Sequence, residues 1–450
     1  MAASIDKYTV RGGNKGIALA FVNGTARVVD GQLKGAVGHH ASAYFAYMHV
    51  MLELQRLLGS RIPDVEFVIA TSDRPMVLKN ATAGSKGSDG GGALLPVFRF
   101  CSSPSYADIQ IPIFHFTTKK YSQAMLDVVE ASNVEYPWEG KKETLFGRFS
   151  VYSRYISPSA PELARRGADG QCICVADTPE TTVCAVRTHA IAFAANHTEF
   201  LEVQSSPRVP MAKHAGYKYL LHLDGQALSS RIDLLLPLNS LVFKEESGYT
   251  TFYYHLLKPK VSILKPRDHS SGARGIRVLK EESGCTTFYH HLLKPKVHYV
   301  PVWEETPDDM LKAVQWAREH DDEAKKIAAA GQAFAIKYLS KRARTCYWLE
   351  LLTQFSKLLR YDVSPKHDAD EYAAKRRRRR GGRDDLVKTG VRPGAAEQQA
   401  MKEAEEAERA DAATPGRSRR GDWPTVEEYL ANVAPAYEGG KWLQTRLELW

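Results

Sequence analysis

Apolar and polar positions along the chain change period several times, and each change marks an element. In residues 17–31, IALAFVNGTARVVDG, they alternate about Asn23-Gly24, which predicts a β-hairpin turning at that pair. Residues 39–59, HHASAYFAYMHVMLELQRLLG, switch to a helical period and stop at Gly59. VEFVIATSD at 65–73 reads as a strand running into a polar loop, and PVFRFC at 96–101 as another strand. Between them, GSKGSDGGG at 84–92 holds nothing a core would take. Downstream, KYLLHLDG at 218–225 predicts a strand, ALSSRIDLLLPL at 227–238 a helix, SLVFKE at 240–245 a strand and VHYVPVW at 297–303 a further strand. Thr306 as N-cap, with Pro307 in the first turn, predicts the start of two helices, the second containing Gly331. Strands alternating with helices predict an α/β protein with parallel sheets covered by helices.

One stretch breaks this rhythm. KEESGYTTFYYHLLKPKV at 244–261 returns 36 positions later as KEESGCTTFYHHLLKPKV at 280–297, changed only at Tyr249/Cys285 and Tyr254/His290. That offset suits a solenoid, but a solenoid needs about three units to bury a continuous core, and here there are two. The segment between them, SILKPRDHSSGARGIRVL, is polar. Copy one continues from SLVF, and copy two leads into VHYVPV. Removing either leaves strand, loop, short helix, strand. The duplication therefore reads as an insertion into an α/β domain, with one copy in the sheet position. Copy two is the one expected there, because VHYVPV follows it directly.

Composition narrows the class. A chain of 450 residues predicts two domains with extensions, and 44% hydrophobic with 25% charged residues is ordinary globular usage. No apolar run reaches about eighteen residues, so no membrane span is expected. The opening MAASIDKYTVRGG has no apolar h-region, so no signal peptide is visible. Beyond Val363 large apolar residues thin out, and residues 364–450 read as a disordered, charged, low-complexity tail. A transient helix is expected at 395–410, and the aromatic-bearing stretch at 422–450 either docks back or stays loose. The net charge of +9 is concentrated at 375–383, KRRRRRGGR. Nucleic acid is a candidate partner through that run alone; the plain alternative is a solvated tail, since no aromatic residue interleaves to stack bases. The six cysteines lack zinc spacing, and a disulfide of Cys172 or Cys174 with Cys184 is open. Sequons at Asn23, Asn80 and Asn196 would accept glycans in a secretory compartment.

An ordered set of segments resembles glycosyltransferase family 90, the Rumi-type protein O-glucosyltransferases and their plant and fungal relatives. With one copy of the repeat removed, KYLLHLDGQALSSRIDLLLPLNSLVFKEESG…TTFYHHLLKPKVHYVPV is similar to the family domain. VEFVIATSDRP resembles the family's strand ending in Asp-x-Pro, PVFRFCSSPSYADIQIPIFHF the segment after it, and TCYWLELLTQFSKLLRYDV the closing helix. The likeness covers most of residues 16–363 in order.

That resemblance implies a GT-B fold, two Rossmann-like domains facing a cleft. Residues 1–140 would form the N-terminal acceptor-side domain. Residues 141–340 would form the donor domain, with the duplicated insert at about 244–297. Residues 341–363 would be the closing helix, and 364–450 the tail. It implies inverting transfer of a glucosyl or xylosyl group from a UDP-sugar to a protein or glycan acceptor, with no metal ion or other cofactor. It implies the lumen of the endoplasmic reticulum or Golgi; without it, a cytoplasmic or nuclear placement stands equally. The competing readings are an inactive member of the same family and a nucleic-acid-associated protein acting through its arginine-rich tail.

The chemistry can be set against the residues. Inverting transfer needs a base for the acceptor hydroxyl. Asp73 ends an apolar strand just before Pro75, where α/β folds place ligand-facing residues, and it matches the family's catalytic Asp. The alternative is an Asp capping its own turn. A diphosphate leaving group needs cations and backbone N–H groups. Gly225, Gln226, Ala227, Leu228, Ser229, Ser230 and Arg231 offer both, on the expectation that a helix begins at Ala227 and Arg231 forks onto phosphate. In KKETLFGRFSVYSR, at 141–154, Arg148, Ser150 and Arg154 resemble the family's donor loop; a basic, solvated strand end is the alternative. Two departures stand out. Asp224-Gly225 replaces the Arg-Gly of the animal enzymes, placing a negative charge beside the phosphate site. FTTKKYSQAMLDVVEASNVEYPW does not match their Trp-containing acceptor loop. His255, His290, His291 and His298 are assigned no metal.

Overall fold

The computed structural model describes residues 1–9, 15–31, 40–80, 93–119, 121, 127, 129, 133–179, 181–252, 298–364 and 423–438. Copy two of the repeat, the glycine-rich stretch at 84–92, the basic run at 375–383 and the helix expected at 395–410 lie outside these residues.

In chain order the first elements are α1 (Ala2–Tyr8), β1 (Gly16–Val22), β2 (Thr25–Asp30), α2 (Ala41–Leu58), β3 (Val65–Ala70), β4 (Phe98–Arg99) and β5 (Ile109–Gln110). Then come β6 (Lys142–Arg148), β7 (Arg154–Ile156), β8 (Cys174–Thr178), β9 (Thr181–Cys184), α3 (Val186–Ala195), β10 (Leu201–Gln204) and β11 (Tyr217–His222). After them follow α4 (Arg231–Leu235), β12 (Leu241–Glu245), β13 (Val300–Val302), α5 (Asp309–Glu319), α6 (Asp321–Tyr338), α7 (Lys341–Ser356) and α8 (Val426–Glu438). The chain divides into two compact units. Unit 1 takes residues 1–72, 96–98 and the described residues from Leu351 onward; unit 2 takes residues 73–95 and 99–350.

In unit 1, β1 lies between β2 and β3 and is antiparallel to both, while Phe98 joins β3 in parallel opposite Ile69. A strand flanked on both sides and covered on both faces must be apolar throughout, and Ile17, Ala18, Leu19, Ala20 and Phe21 are all buried. The hairpin forms as expected, with Asn23 and Gly24 both in the left-handed region at φ 51° and 72°, the conformation that makes Asn-Gly the favoured pair. The helix expected to stop at Gly59 does so. Phe98 packs on Phe67 and Phe355. The aromatic stretch after the tail docks back: Trp423 and Tyr429 are buried, and Val28 N–H donates to Pro424 O at 3.0 Å.

Unit 2 is the α/β half. Its five-stranded sheet runs β10-β6-β11-β12-β13, parallel throughout. Buried on both faces, β11 and β12 read as near-continuous apolar runs, and Leu220, Leu221, Leu241, Val242 and Phe243 are at most 1% exposed. α6 packs so closely that a Cβ on Gly331 would lie 2.9 Å from His298 O. The ring of His298 lies tilted against Phe334 of that helix, at the entry to β13 rather than at its ligand-facing end. A smaller antiparallel sheet, β7-β9-β8, is clasped by a Cys174–Cys184 disulfide between facing residues, which settles the open pairing.

Four expectations are corrected. Copy one, not copy two, supplies the described sheet position: β12 runs into Lys244 and Glu245, and Thr250 exchanges backbone hydrogen bonds with Ser102 at 2.7 and 2.9 Å. No helix begins at Ala227. Asp224 takes the Ser229 N–H (2.7 Å) and Ala227 O takes the Gly225 N–H (2.9 Å), so local polar bonds hold a turn until α4 opens at Arg231. The helix after Thr306 begins at Asp309, because Asp309 spends its carboxylate on the N–H groups of Trp303 (2.7 Å) and Glu304 (2.9 Å), which holds the chain in a turn first. The closing helix, expected over 341–363, spans Lys341–Ser356.

Candidate functional site

β6, β11 and β12 end at Arg148, His222 and Glu245, so their following loops emerge at one end of the sheet, outside the carboxyl ends of the strands. Glu245, fully buried, is the hub. It accepts from Arg154 Nη2 (2.8 Å), Arg165 Nε (3.0 Å) and the Asp224 N–H (3.1 Å). Asp224 is equally buried. Its carboxylate accepts from the Ser247 hydroxyl and the Ser229 N–H and lies 3.4 Å from His222 Nε2. Burial pushes the Asp224 carboxyl up, but His222, Arg154 and Ser247 outweigh it and hold it well below the usual carboxylate range. Burial keeps the His222 imidazole below its ordinary value. The negative charge at Asp224 is thus answered within the fold.

Two further guanidiniums complete the cluster. Arg187 of α3 donates through Nη1 to Ser150 O (3.0 Å), through Nη2 to Leu223 O (2.9 Å) and through Nε to Asp224 O (3.2 Å). Arg231 donates to Arg148 O and is only partly buried. Each lies 5.4 Å from the centre of the Phe149 ring. Burial pushes Arg187 down to about 10; burial, then the charge on Arg187, does the same to Arg231. Among the described residues neither forms an ion pair with a carboxylate. Four guanidiniums, those of Arg154, Arg165, Arg187 and Arg231, therefore face two carboxylates, Asp224 and Glu245, and the cluster carries two positive charges in excess.

The expected residues fall as follows. Arg148 is held by Glu202 (2.8 Å), and its own carbonyl receives Arg231. Ser150 is exposed and contributes its carbonyl to Arg187. Arg154 is fully buried, bound to Glu245 and to Leu163 O (3.2 Å), with its guanidinium 5.5 Å from the Tyr249 ring centre. A Cβ on Gly225 would lie 3.2 Å from the Arg187 guanidinium, close enough to press on it. Gln226 is half-buried and Ala227 buried; Ser230 Oγ lies 2.7 Å from His115 Nδ1.

Asp73 is exposed, on a loop anchored by Asp108, whose carboxylate accepts the Met76 (3.0 Å) and Val77 (3.1 Å) N–H groups. The Cys101 thiol, fully buried, donates to Asp73 O at 3.0 Å. Burial pushes that thiol well above its ordinary value. Arg187, Glu245 and Cys101 were missed from sequence. Glu245 had a signal, since it ends a buried strand just as Asp73 does. Arg187 and Cys101 had none, because their partners come from distant loops.

A family profile described as Glycosyl transferase family 90 matches residues 36–268 and 273–409. The chain is 27% identical over 331 residues to protein O-glucosyltransferase 2 of Danio rerio, covering 71% of this chain and 52% of that one. It is 27% identical over 332 residues to protein O-glucosyltransferase 1 of Rattus norvegicus, covering 71% and 68%. With O-glucosyltransferase rumi of Drosophila melanogaster the identity is 25% over 330 residues, covering 69% and 64%. The chain spans about half the length of the zebrafish relative and about two thirds of the other two.

Proposed function

The chain belongs to glycosyl transferase family 90, and on that premise we propose that it transfers a sugar from a UDP-sugar to a hydroxyl of a protein acceptor, with inversion and without a metal ion. The observation that carries this reading is the arginine cluster at the end of the parallel sheet. A UDP-sugar presents a diphosphate of roughly two negative charges, and two uncompensated positive charges stand where the loops after β6 and β11 meet. Charge builds on the leaving diphosphate as the bond to the sugar breaks. Fixed guanidiniums in a buried setting stabilise it without reorganising. Arg231, partly exposed, is the member placed to touch phosphate.

Asp73 is the base in this reading. Its carboxylate takes the acceptor hydroxyl's proton as the oxygen attacks the sugar carbon, and Cys101 holds its loop through the Asp73 carbonyl. Unit 2, five parallel strands with helices between, supports a GT-B assignment. The Cys174–Cys184 disulfide suits an oxidising compartment such as the endoplasmic reticulum lumen, and the relatives' names favour glucose as the sugar.

Titration calorimetry with UDP and hydrolysis of UDP-glucose and UDP-xylose test the reading together. Asp73→Asn should lower turnover by about a hundredfold or more while leaving UDP affinity nearly unchanged. Wild-type protein that binds no UDP would remove the donor site. Equal hydrolysis by wild type and Asp73→Asn would remove the base and favour an inactive family member.

A further inference from the structure

Arg187 is the second residue of α3, and its side chain leaves the helix for the sheet end. All three of its donor nitrogens bond to backbone carbonyls: one of Ser150, in the loop after β6, and those of Leu223 and Asp224, in the loop after β11. The turn at Gly225 rests directly on the guanidinium, and the Phe149 ring covers it from the other loop. A neutral donor would satisfy carbonyls without the cost of burying a charge. A 5%-exposed cation without a carboxylate partner makes sense where rigidity and positive potential are needed at one spot. Lysine has no planar fork with which to reach three carbonyls.

We propose that Arg187 is the positioning residue of the donor site, fixing the loop after β6 against the loop after β11 so that both address the same diphosphate. This rests on the donor-site reading above but has a signature of its own. Removing Arg187 loosens two loops, more than seventy residues apart in sequence, in one step.

Arg187→Lys and Gly225→Ala test it at matched folded fraction. The first removes the fork, and the second pushes a methyl group onto it while leaving the arginine in place. Hydrogen exchange should show peptides covering 148–152 and 223–229 losing protection together, with β6 and β11 themselves unchanged. UDP binding by Arg187→Lys should weaken by about ten- to a hundredfold. In UDP-sugar hydrolysis, kcat should fall by a larger factor than KM rises, because misplaced loops fail the transition state first. Loss of protection in one loop alone, or in neither, overturns the proposal, as does unchanged UDP affinity in Arg187→Lys. If the wild-type protein binds no UDP, the donor-site reading falls, and the exchange arm still decides whether Arg187 ties the loops.

Discussion

His214 shows how a single side chain sets a pH response away from the chemistry. It is 2% exposed, its Nδ1 lies 3.0 Å from Pro210 O, and its ring meets Phe146 edge-on. Nε2 is buried without a partner, so a second proton would become an orphan donor. Burial accordingly pushes the imidazole down to about 4. As pH falls from about 6.5 towards 4, the unfolded chain takes up a proton that the folded chain refuses, so stability falls through that window and is level above it. His214→Phe removes this component. Urea titrations should show the variant gaining on wild type by about 2 kcal/mol between pH 7 and pH 4.5. Parallel pH curves for the two proteins would place the sensitivity elsewhere. Such a site is invisible in sequence. MAKHAG marks a short polar turn, and only packing turns the histidine inward.

At the scale of elements, patterning succeeded where one strand or helix carries its own reason. The Asn-Gly hairpin, the stop at Gly59 and the apolar runs of β3, β11 and β12 were legible because period and turn chemistry are local. The turn at 225–230 was not, because Asp224 pulls it away from helix only once His222 and Ser247 fix that carboxylate. Neither was the choice between copies, since the two are identical wherever the structure describes copy one, except at Tyr249. That exception supplies a test. Deleting residues 253–288 or 244–279 gives chains of equal length that differ only in carrying Tyr249 or Cys285 after the glycine. Tyr249 is 2% exposed beneath the Arg154 guanidinium. Both deletions should fold, with the tyrosine version more stable by about 2–4 kcal/mol, the range for truncating a buried aromatic. Equal stabilities would mean that this position is not held by copy one.

At the scale of the whole molecule, the arginine cluster that carries the functional reading is assembled from four stretches of chain, around Arg154, Arg187, Arg231 and Glu245. Single-segment reasoning found two of the four, Arg154 and Arg231. The same holds for the chain's far end, where composition suggested a tail and the structure shows an anchor. Arg27 Nη1 donates to Trp423 O at 2.7 Å, and Tyr429 donates to Gly31 O. A protease site engineered at 384–394 and cut should yield two fragments on a denaturing gel that still co-elute natively. Trp423→Ala in the cut protein should release the smaller one; separation without that substitution would show the anchor too weak to hold. In sequence the basic run at 375–383 lies between two described segments of unit 1. The chain enters its span from Tyr361, whose hydroxyl bonds Glu66 at 2.8 Å, and leaves it at Trp423, and both pegs lie in unit 1. Cutting the chain between those two pegs turns one covalent molecule into a two-part complex that only the second peg holds together.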